Sequence, residues 1–227
     1  MVEAVFGLPK AFDLLIVDDG SPDGTGERIE ELQKKHPDKL HLLKRKGKLG
    51  LGTAYIEGFK YALERDYQFI YEMDCDFSHD PEDLLHLHEA CAGKGADLAI
   101  GSRYVSGVNV VNWPIGRVLM SYFASVYVRF ITGMPVHDAT AGFKCYRRRV
   151  LETINLDKIR FKGYAFQIEM KFTAWWLGFN VTEVPIIFRE RTKGTSKMST
   201  GIYKEAFFGV ITLKLRSIFK KRPKPKY

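Results

Sequence analysis

The chain has 227 residues and a mass of 26.0 kDa, enough for one large domain or two small ones with a buried core. Apolar residues make up 45% and charged residues 27%, which excludes a disordered or collagen-like polypeptide. The net charge of +8 is uneven: Arg189 to Tyr227 carries 12 Lys/Arg against Glu190 and Glu205, which leaves a near-neutral body and excludes a uniformly basic nucleic-acid coat.

The predicted elements alternate along the chain. Phe12–Val17 is a short apolar run suited to a buried strand, followed by an Asp18–Thr25 turn and a helical pattern through Ile29 and Leu32. Leu40–Leu43 reads as a second strand, Thr53–Arg65 as a helix and Gln68–Met73 as a third strand. A helix over Pro81–Cys91, with proline near its first turn, leads to a fourth short strand at Asp97–Ile100. This alternation predicts a mostly parallel sheet flanked by helices, with ligands at the carboxyl ends of its strands. Further on, Pro114 to Met134 reads either as a core helix or as an interfacial one, with Arg117 and Arg129 among its aromatic and aliphatic residues. No stretch reaches the ~18 apolar residues that span a bilayer. The opening residues lack the basic region of a signal peptide. Cys75, Cys91 and Cys145 are few, odd in number and widely spaced, so a reducing compartment is expected rather than a disulfide framework or a structural zinc site.

Polar residues cluster just after the predicted strands. Asp18-Asp19-Gly20-Ser21-Pro22-Asp23-Gly24-Thr25 follows the first strand, Asp74-Cys75-Asp76-Phe77-Ser78-His79 the third, and Gly101-Ser102-Arg103-Tyr104 the fourth. Asp74 and Asp76, two residues apart on an extended segment, point the same way. Such carboxylates repel unless a cation lies between them or one is protonated, so the pair reads either as a site for Mg²⁺ or Mn²⁺ or as a solvated, helix-capping turn. Asp18 and Asp19 are open to the same two readings, turn former or acceptor of a nucleoside hydrogen bond. Gly47-Lys-Leu-Gly-Leu-Gly-Thr53 has neither dinucleotide nor P-loop spacing and reads as a tight strand-to-helix turn. His86 and His88 lie on different sides of their helix and form no zinc set.

Taken together, these segments resemble the dolichol-phosphate (polyprenol-phosphate) mannosyltransferases of glycosyltransferase family 2. The resemblance runs through Leu-Gly-Leu-Gly-Thr-Ala-Tyr (49–55), Asp138-Ala-Thr-Ala-Gly-Phe-Lys-Cys-Tyr146, Lys162-Gly-Tyr-Ala-Phe-Gln-Ile-Glu-Met170, Glu183-Val-Pro-Ile and Arg189-Glu-Arg-Thr-Lys-Gly-Thr-Ser-Lys197, covering nearly the whole chain in order. It implies an α/β GT-A fold, that is, a Rossmann-like nucleotide-diphospho-sugar transferase. The catalytic domain would occupy 1–213 and a basic tail 214–227. The implied activity is metal-dependent, inverting transfer of mannose from GDP-mannose to a polyprenyl or dolichyl phosphate, releasing GDP.

Roles carry over residue by residue. Val17 and Asp19 would contact the nucleoside, and Asp74, Cys75 and Asp76 the diphosphate. Asp74, Asp76 and Ser78 would hold Mg or Mn. Arg103, Arg191 and Lys197 would bind phosphates, and Arg117 with Ser121 would receive the acceptor phosphate. Asp76, Arg103 and Arg117 are the expected catalytic residues. The lipid acceptor implies a peripheral protein on the cytoplasmic face of a membrane, with no nucleic-acid partner. Close alternatives are a polyprenyl-phosphate glucosyltransferase and a non-catalytic binder of nucleotide sugar or lipid phosphate. One departure stands out: family members begin with a strand ending in a Pro-Thr-Tyr-Asn-Glu-like motif, absent here, so the sheet is expected to lack that first strand and to leave Phe12–Val17 without one neighbour.

Overall fold

The computed structural model describes residues 1–190 and 200–218. In chain order the elements are α1 (Val2–Phe6), β1 (Leu14–Asp18), α2 (Thr25–Lys35), β2 (Leu40–Lys44), α3 (Leu51–Leu63), β3 (Phe69–Glu72), α4 (Asp83–Ala92) and β4 (Leu98–Ser102). Then come β5 (Val110–Val111), α5 (Ile115–Thr132), β6 (Lys144–Arg147), α6 (Arg148–Thr153), α7 (Ala165–Trp176), β7 (Val181–Pro185), β8 (Phe188–Arg189) and α8 (Thr200–Ile218). The predicted strands and helices up to β4 all form, with ends shifted by one or two residues. α8 continues through position 213, where the sequence reading divides the chain.

Local chemistry sets the boundaries. Asp23 accepts bonds from the Thr25 amide and hydroxyl at the start of α2, while Lys34 and Lys35 sit at its carbonyl end, where cations are favoured. α5 starts after Pro114 and stops at Gly133, whose φ of 74° is the left-handed cap that glycine adopts without strain. α7 is buried along most of its length and forms the centre of the largest apolar cluster, with Phe166, Ile168, Met170 and Phe172 against Leu98, Ile100 and Tyr146.

The sheet is mixed and divided. β3-β6-β4-β7 is one four-stranded sheet in which β6 runs antiparallel to both neighbours and β4 is parallel to β7. β1 and β2 form a separate parallel pair, as do β5 and β8. Among the described residues β1 pairs only with β2, and β3 only with β6. Leu14 donates its amide to Lys39 and Asp18 accepts from Arg45, so Leu14, Ile16 and Asp18 face β2. By alternation, Leu15 and Val17 present their backbone groups to the other edge. A cavity of about 690 Å³ lies between β1 and β3, lined by Leu15, Val17, Phe69 and Tyr71, and it continues to the strand ends. The unflanked edge of the first predicted strand is therefore a wall of the cavity.

Two features lock the frame around this cavity. Lys144 on β6 ion-pairs with Glu72 on β3 and bonds to Gln167 on α7, all out of solvent. Burial pushes the Glu72 carboxyl up and the Lys144 ammonium down, each opposed by its partner. α3 approaches the chain before α7 so closely that a Cβ on Gly52 would lie 2.6 Å from the Phe161 carbonyl oxygen and 2.8 Å from the Phe166 ring. Gly52→Ala is therefore expected to cost about 1–3 kcal/mol through overpacking. The urea midpoint should fall with an unchanged slope; an unaltered midpoint would show that the helix has room to move.

Candidate active site

The carboxyl ends of β1, β3 and β4 carry clusters of polar residues, and Asp18 at the end of β1 is held differently from Asp19 beyond it. Asp18 accepts the Ser21 amide at 3.2 and 3.3 Å, so it is the turn former. Asp19 is held by Arg45, whose guanidinium lies 3.1 Å from its carboxylate. Arg45 also reaches Thr53 at 2.6 Å and Glu57 at 3.3 Å, pinning the loop to the start of α3. Sequence reasoning missed Arg45; a basic residue immediately after β2 was its only signal.

After β3, Asp76 accepts the Ser78 amide at 3.0 Å, and Phe77 between them takes a φ of 60°, the left-handed region that is costly for an aromatic residue. That turn places Asp74, Cys75, Asp76 and Ser78 on the wall of the 690 Å³ cavity. The Tyr55 hydroxyl lies 3.3 Å from Asp74, and the buried Ser78 hydroxyl has no hydrogen-bond partner among the described residues. His79 is wedged between Phe143 and Phe188, and burial lowers its pKa, which keeps it uncharged at neutral pH. Two carboxylates and an unsatisfied hydroxyl on one loop are hard oxygen donors, the set that Mg²⁺ or Mn²⁺ takes. Among the described residues no group of three or more His, Cys, Asp or Glu side chains forms a metal cluster, so further ligands would come from substrate oxygens or water.

After β4, Arg103 meets Asp138 in a two-pronged ion pair, 2.7 Å from Nε and 2.6 Å from Nη2, and Asp138 also accepts the Arg103 amide at 3.0 Å. Burial alone would raise the Asp138 carboxyl, but the Arg103 guanidinium beside it holds it below its ordinary value of 3.8. Glu183 on β7 ties this pair to the sheet, accepting from Ser102 at 2.7 Å and from the His137 and Asp138 amides at 2.7 and 2.8 Å. Asp138 and Glu183 had been read only as parts of sequence motifs, because their partners are distant in the chain.

Arg103 and Arg117 both line the cavity, as does Ser121 one turn beyond Arg117 on α5. Trp113 lies between the two arginines: its ring is 4.0 Å from the Arg117 guanidinium carbon and 5.4 Å from that of Arg103. Trp113 immediately precedes the segment that the sequence left open between a core and an interfacial helix; the structure places it at the cavity. Val17 lines the cavity, whereas Asp19 is not among its lining residues and is held by Arg45. Arg191 and Lys197 fall outside the described residues.

The α/β sheet brings Asp74, Asp76 and Arg103 to the carboxyl ends of its strands, with Arg117 of α5 lining the same cavity, the region where proteins of this architecture bind ligands. Residues 1–154 match glycosyl transferase family 2. The chain is 51% identical over 197 residues to the polyprenol monophosphomannose synthase of Mycolicibacterium smegmatis, covering 87% of this chain and 74% of that relative. It is 48% identical over 198 residues to the undecaprenyl-phosphate mannosyltransferase of Micrococcus luteus, covering 87% and 80%. The chain belongs to glycosyltransferase family 2. Its fold matches glucosyl-3-phosphoglycerate synthase of Mycobacterium tuberculosis in complex with phosphoglyceric acid, with a TM-score of 0.61 at 14% identity over 89% of this chain and 69% of that one. A complex of that synthase with Mn²⁺, UDP-glucose and phosphoglyceric acid matches with a TM-score of 0.59 at 15% identity, covering 92% and 69%. The likeness is one of fold, and the fold is GT-A.

Replacing Asp138 with asparagine should destabilise the protein by about 3–5 kcal/mol at neutral pH, because Arg103 is left charged and buried. A carboxyl held below its ordinary pKa stabilises the fold above that ordinary value and loses its effect as pH falls through the folded-state pKa. The difference between wild type and Asp138→Asn in denaturant titrations should therefore be full at pH 7 and shrink only below about pH 4. A difference independent of pH down to the acid limit would contradict the ion pair.

Proposed function

We propose that this chain transfers mannose from GDP-mannose to a polyprenyl phosphate, inverting the anomeric centre. The observation that carries the reading is the convergence on one cavity of the Asp74–Asp76 loop and the Arg103–Trp113–Arg117 cluster, in a chain about half identical to two enzymes named for polyprenyl-phosphate mannose synthesis. Val17 and Asp19 hold the nucleoside, and Asp74, Cys75 and Asp76 face the diphosphate. Asp74, Asp76 and Ser78 would hold Mg²⁺ or Mn²⁺, which when bound supplies positive charge to the leaving diphosphate. Arg103 and Arg117, with Ser121, orient the acceptor phosphate. One of its oxygens bonds to C1 of mannose as the C1–O bond to GDP breaks, and the electron pair leaves with GDP. The acceptor is already an anion near neutral pH, so no general base has to remove a proton, and positioning and charge stabilisation carry the rate. His79, buried and uncharged, takes no part.

The lipid acceptor calls for a membrane-facing surface. Ile115, Leu119, Phe123 and Phe130 form an exposed face of α5, while Ser125, Val128 and Thr132 face inward. α8 lies alongside, with Tyr127 stacked on Phe207 at 4.8 Å and Phe208, Leu215 and Ile218 exposed. Contiguous exposed apolar surface of this kind marks an interaction site. No helix among the described residues is long and apolar enough to cross a membrane, so the α5–α8 face would rest on the bilayer as an interfacial surface. The basic residues of 214–227 would add attraction to anionic headgroups, although 219–227 lie outside the described residues. The proposed location is the cytoplasmic face of a membrane.

A panel of nucleotide sugars with a short polyprenyl phosphate and Mg²⁺ or Mn²⁺ tests the assignment. Product from GDP-mannose alone is expected; product from a glucose donor would favour the glucosyltransferase, and donor binding without product would favour a binder. Asp76→Ala should abolish transfer and weaken Mn²⁺ binding in a direct titration without donor. Near-normal turnover in that variant would overturn the metal assignment. Phe123→Asp with Phe130→Asp should reduce co-sedimentation with anionic vesicles while leaving GDP-mannose binding intact; unchanged sedimentation would remove α5 from the membrane face.

A further inference from the structure

The two arginines of the cavity have carboxylate partners of different kinds. Arg103 is paired with Asp138, whose side chain is fully buried, through two short bonds. Removing either partner leaves an uncompensated buried charge, so this pair does not open for a ligand. Arg117 is paired with Glu190 through one guanidinium nitrogen, and both side chains are more than a quarter exposed. An ion pair at that exposure adds little to stability and is readily exchanged. The Arg117 guanidinium carbon also lies 4.0 Å from the Trp113 ring, a cation–π contact that an incoming anion does not have to break.

The backbone at Glu190 is fixed. Its amide bonds to the Val111 carbonyl at 3.1 Å, and the Arg189 amide bonds to the Ser78 carbonyl at 3.1 Å. Only the Glu190 side chain has to move for Arg117 to change partner. Glu190 lines the same cavity as Arg103, Arg117 and Ser121.

We infer that Glu190 is a displaceable anionic placeholder in the acceptor-phosphate subsite. In the absence of acceptor its carboxylate holds Arg117 over Trp113. The incoming phosphate takes its place on the guanidinium, and the carboxylate returns when the product leaves. The residue thereby lowers acceptor affinity and hastens product release. This rests on the reading of Arg117 as the acceptor-phosphate ligand. Because one ion pair is broken whichever phosphate enters, its removal should tighten a prenyl phosphate and a prenyl phosphodiester by the same factor.

The test is a calorimetric titration of wild type and Glu190→Gln with geranyl phosphate and with its methyl phosphodiester, followed by GDP titration of each. Glu190→Gln should bind both prenyl ligands about fivefold more tightly, equivalent to about 1 kcal/mol. GDP affinity should not change. In an Arg117→Gln background the same substitution should give no gain, which ties the effect to this pair. Unchanged or weaker geranyl phosphate binding in Glu190→Gln, with an unchanged melting temperature, would overturn the inference. The readout needs no turnover. If wild type fails to transfer mannose while Glu190→Gln still tightens geranyl phosphate, the proposed reaction falls and the placeholder stands. If transfer proceeds with acceptor affinity unmoved, the reverse holds.

Discussion

The buried ion pair between Arg103 and Asp138 is the constraint on which the site depends. It joins the end of β4 to the segment before β6, and Glu183 fastens both to β7. A guanidinium held by two short bonds to a buried carboxylate has little freedom, and preorganised charge of this kind acts without reorganising during the reaction. Its cost is desolvation of both ions, which only the complete set of hydrogen bonds around Asp138 offsets. Among the described residues, the Lys144–Glu72 pair is as deeply buried, whereas the carboxylate partners of Arg45 and Arg117 are nearer to solvent.

Rigidity therefore grades outward from this pair. Lys144 and Glu72 extend the buried charge beneath the Asp74–Asp76 loop. Arg45 fixes Asp19 at the neighbouring strand end, where the Glu57 partner is already half exposed. Arg117 and Glu190 stand at the rim, where an ion pair adds little to stability and can be exchanged. The apolar faces of α5 and α8 lie outside the rim. In the proposed function this gradient sets the acceptor phosphate between a guanidinium that does not move, Arg103, and an exchangeable one, Arg117, where the lipid enters.

Much of this was legible in the sequence. The strand-helix alternation gave the elements through β4, because period and turn residues are local signals. The acidic clusters and Arg103 fell at strand ends for the same reason, and the motif resemblance predicted the GT-A fold. Long-range pairing was not legible. β6 enters antiparallel between β3 and β4, and the strand spacing alone did not show this. Arg45, Asp138, Glu183 and Glu190 acquire roles only through partners 26, 35, 81 and 73 positions away, respectively, in the pairs Arg45–Asp19, Asp138–Arg103, Glu183–Ser102 and Glu190–Arg117. Trp113 illustrates the limit: beside a helix whose pattern fits core or interface alike, nothing local marks it, whereas folding places its ring near two arginines.

The divided sheet gives the cavity an apolar wall at β1 and β3, beside the region proposed for the nucleoside. Catalysis as proposed here uses no general base and a single displacement at C1, so stereochemistry tests the account most directly. Product made from GDP-mannose and a short polyprenyl phosphate should show the β configuration at C1 in the proton–carbon coupling of its NMR spectrum. An α-linked product, or release of free mannose with no lipid-linked sugar, would contradict direct attack by a phosphate held between Arg103 and Arg117.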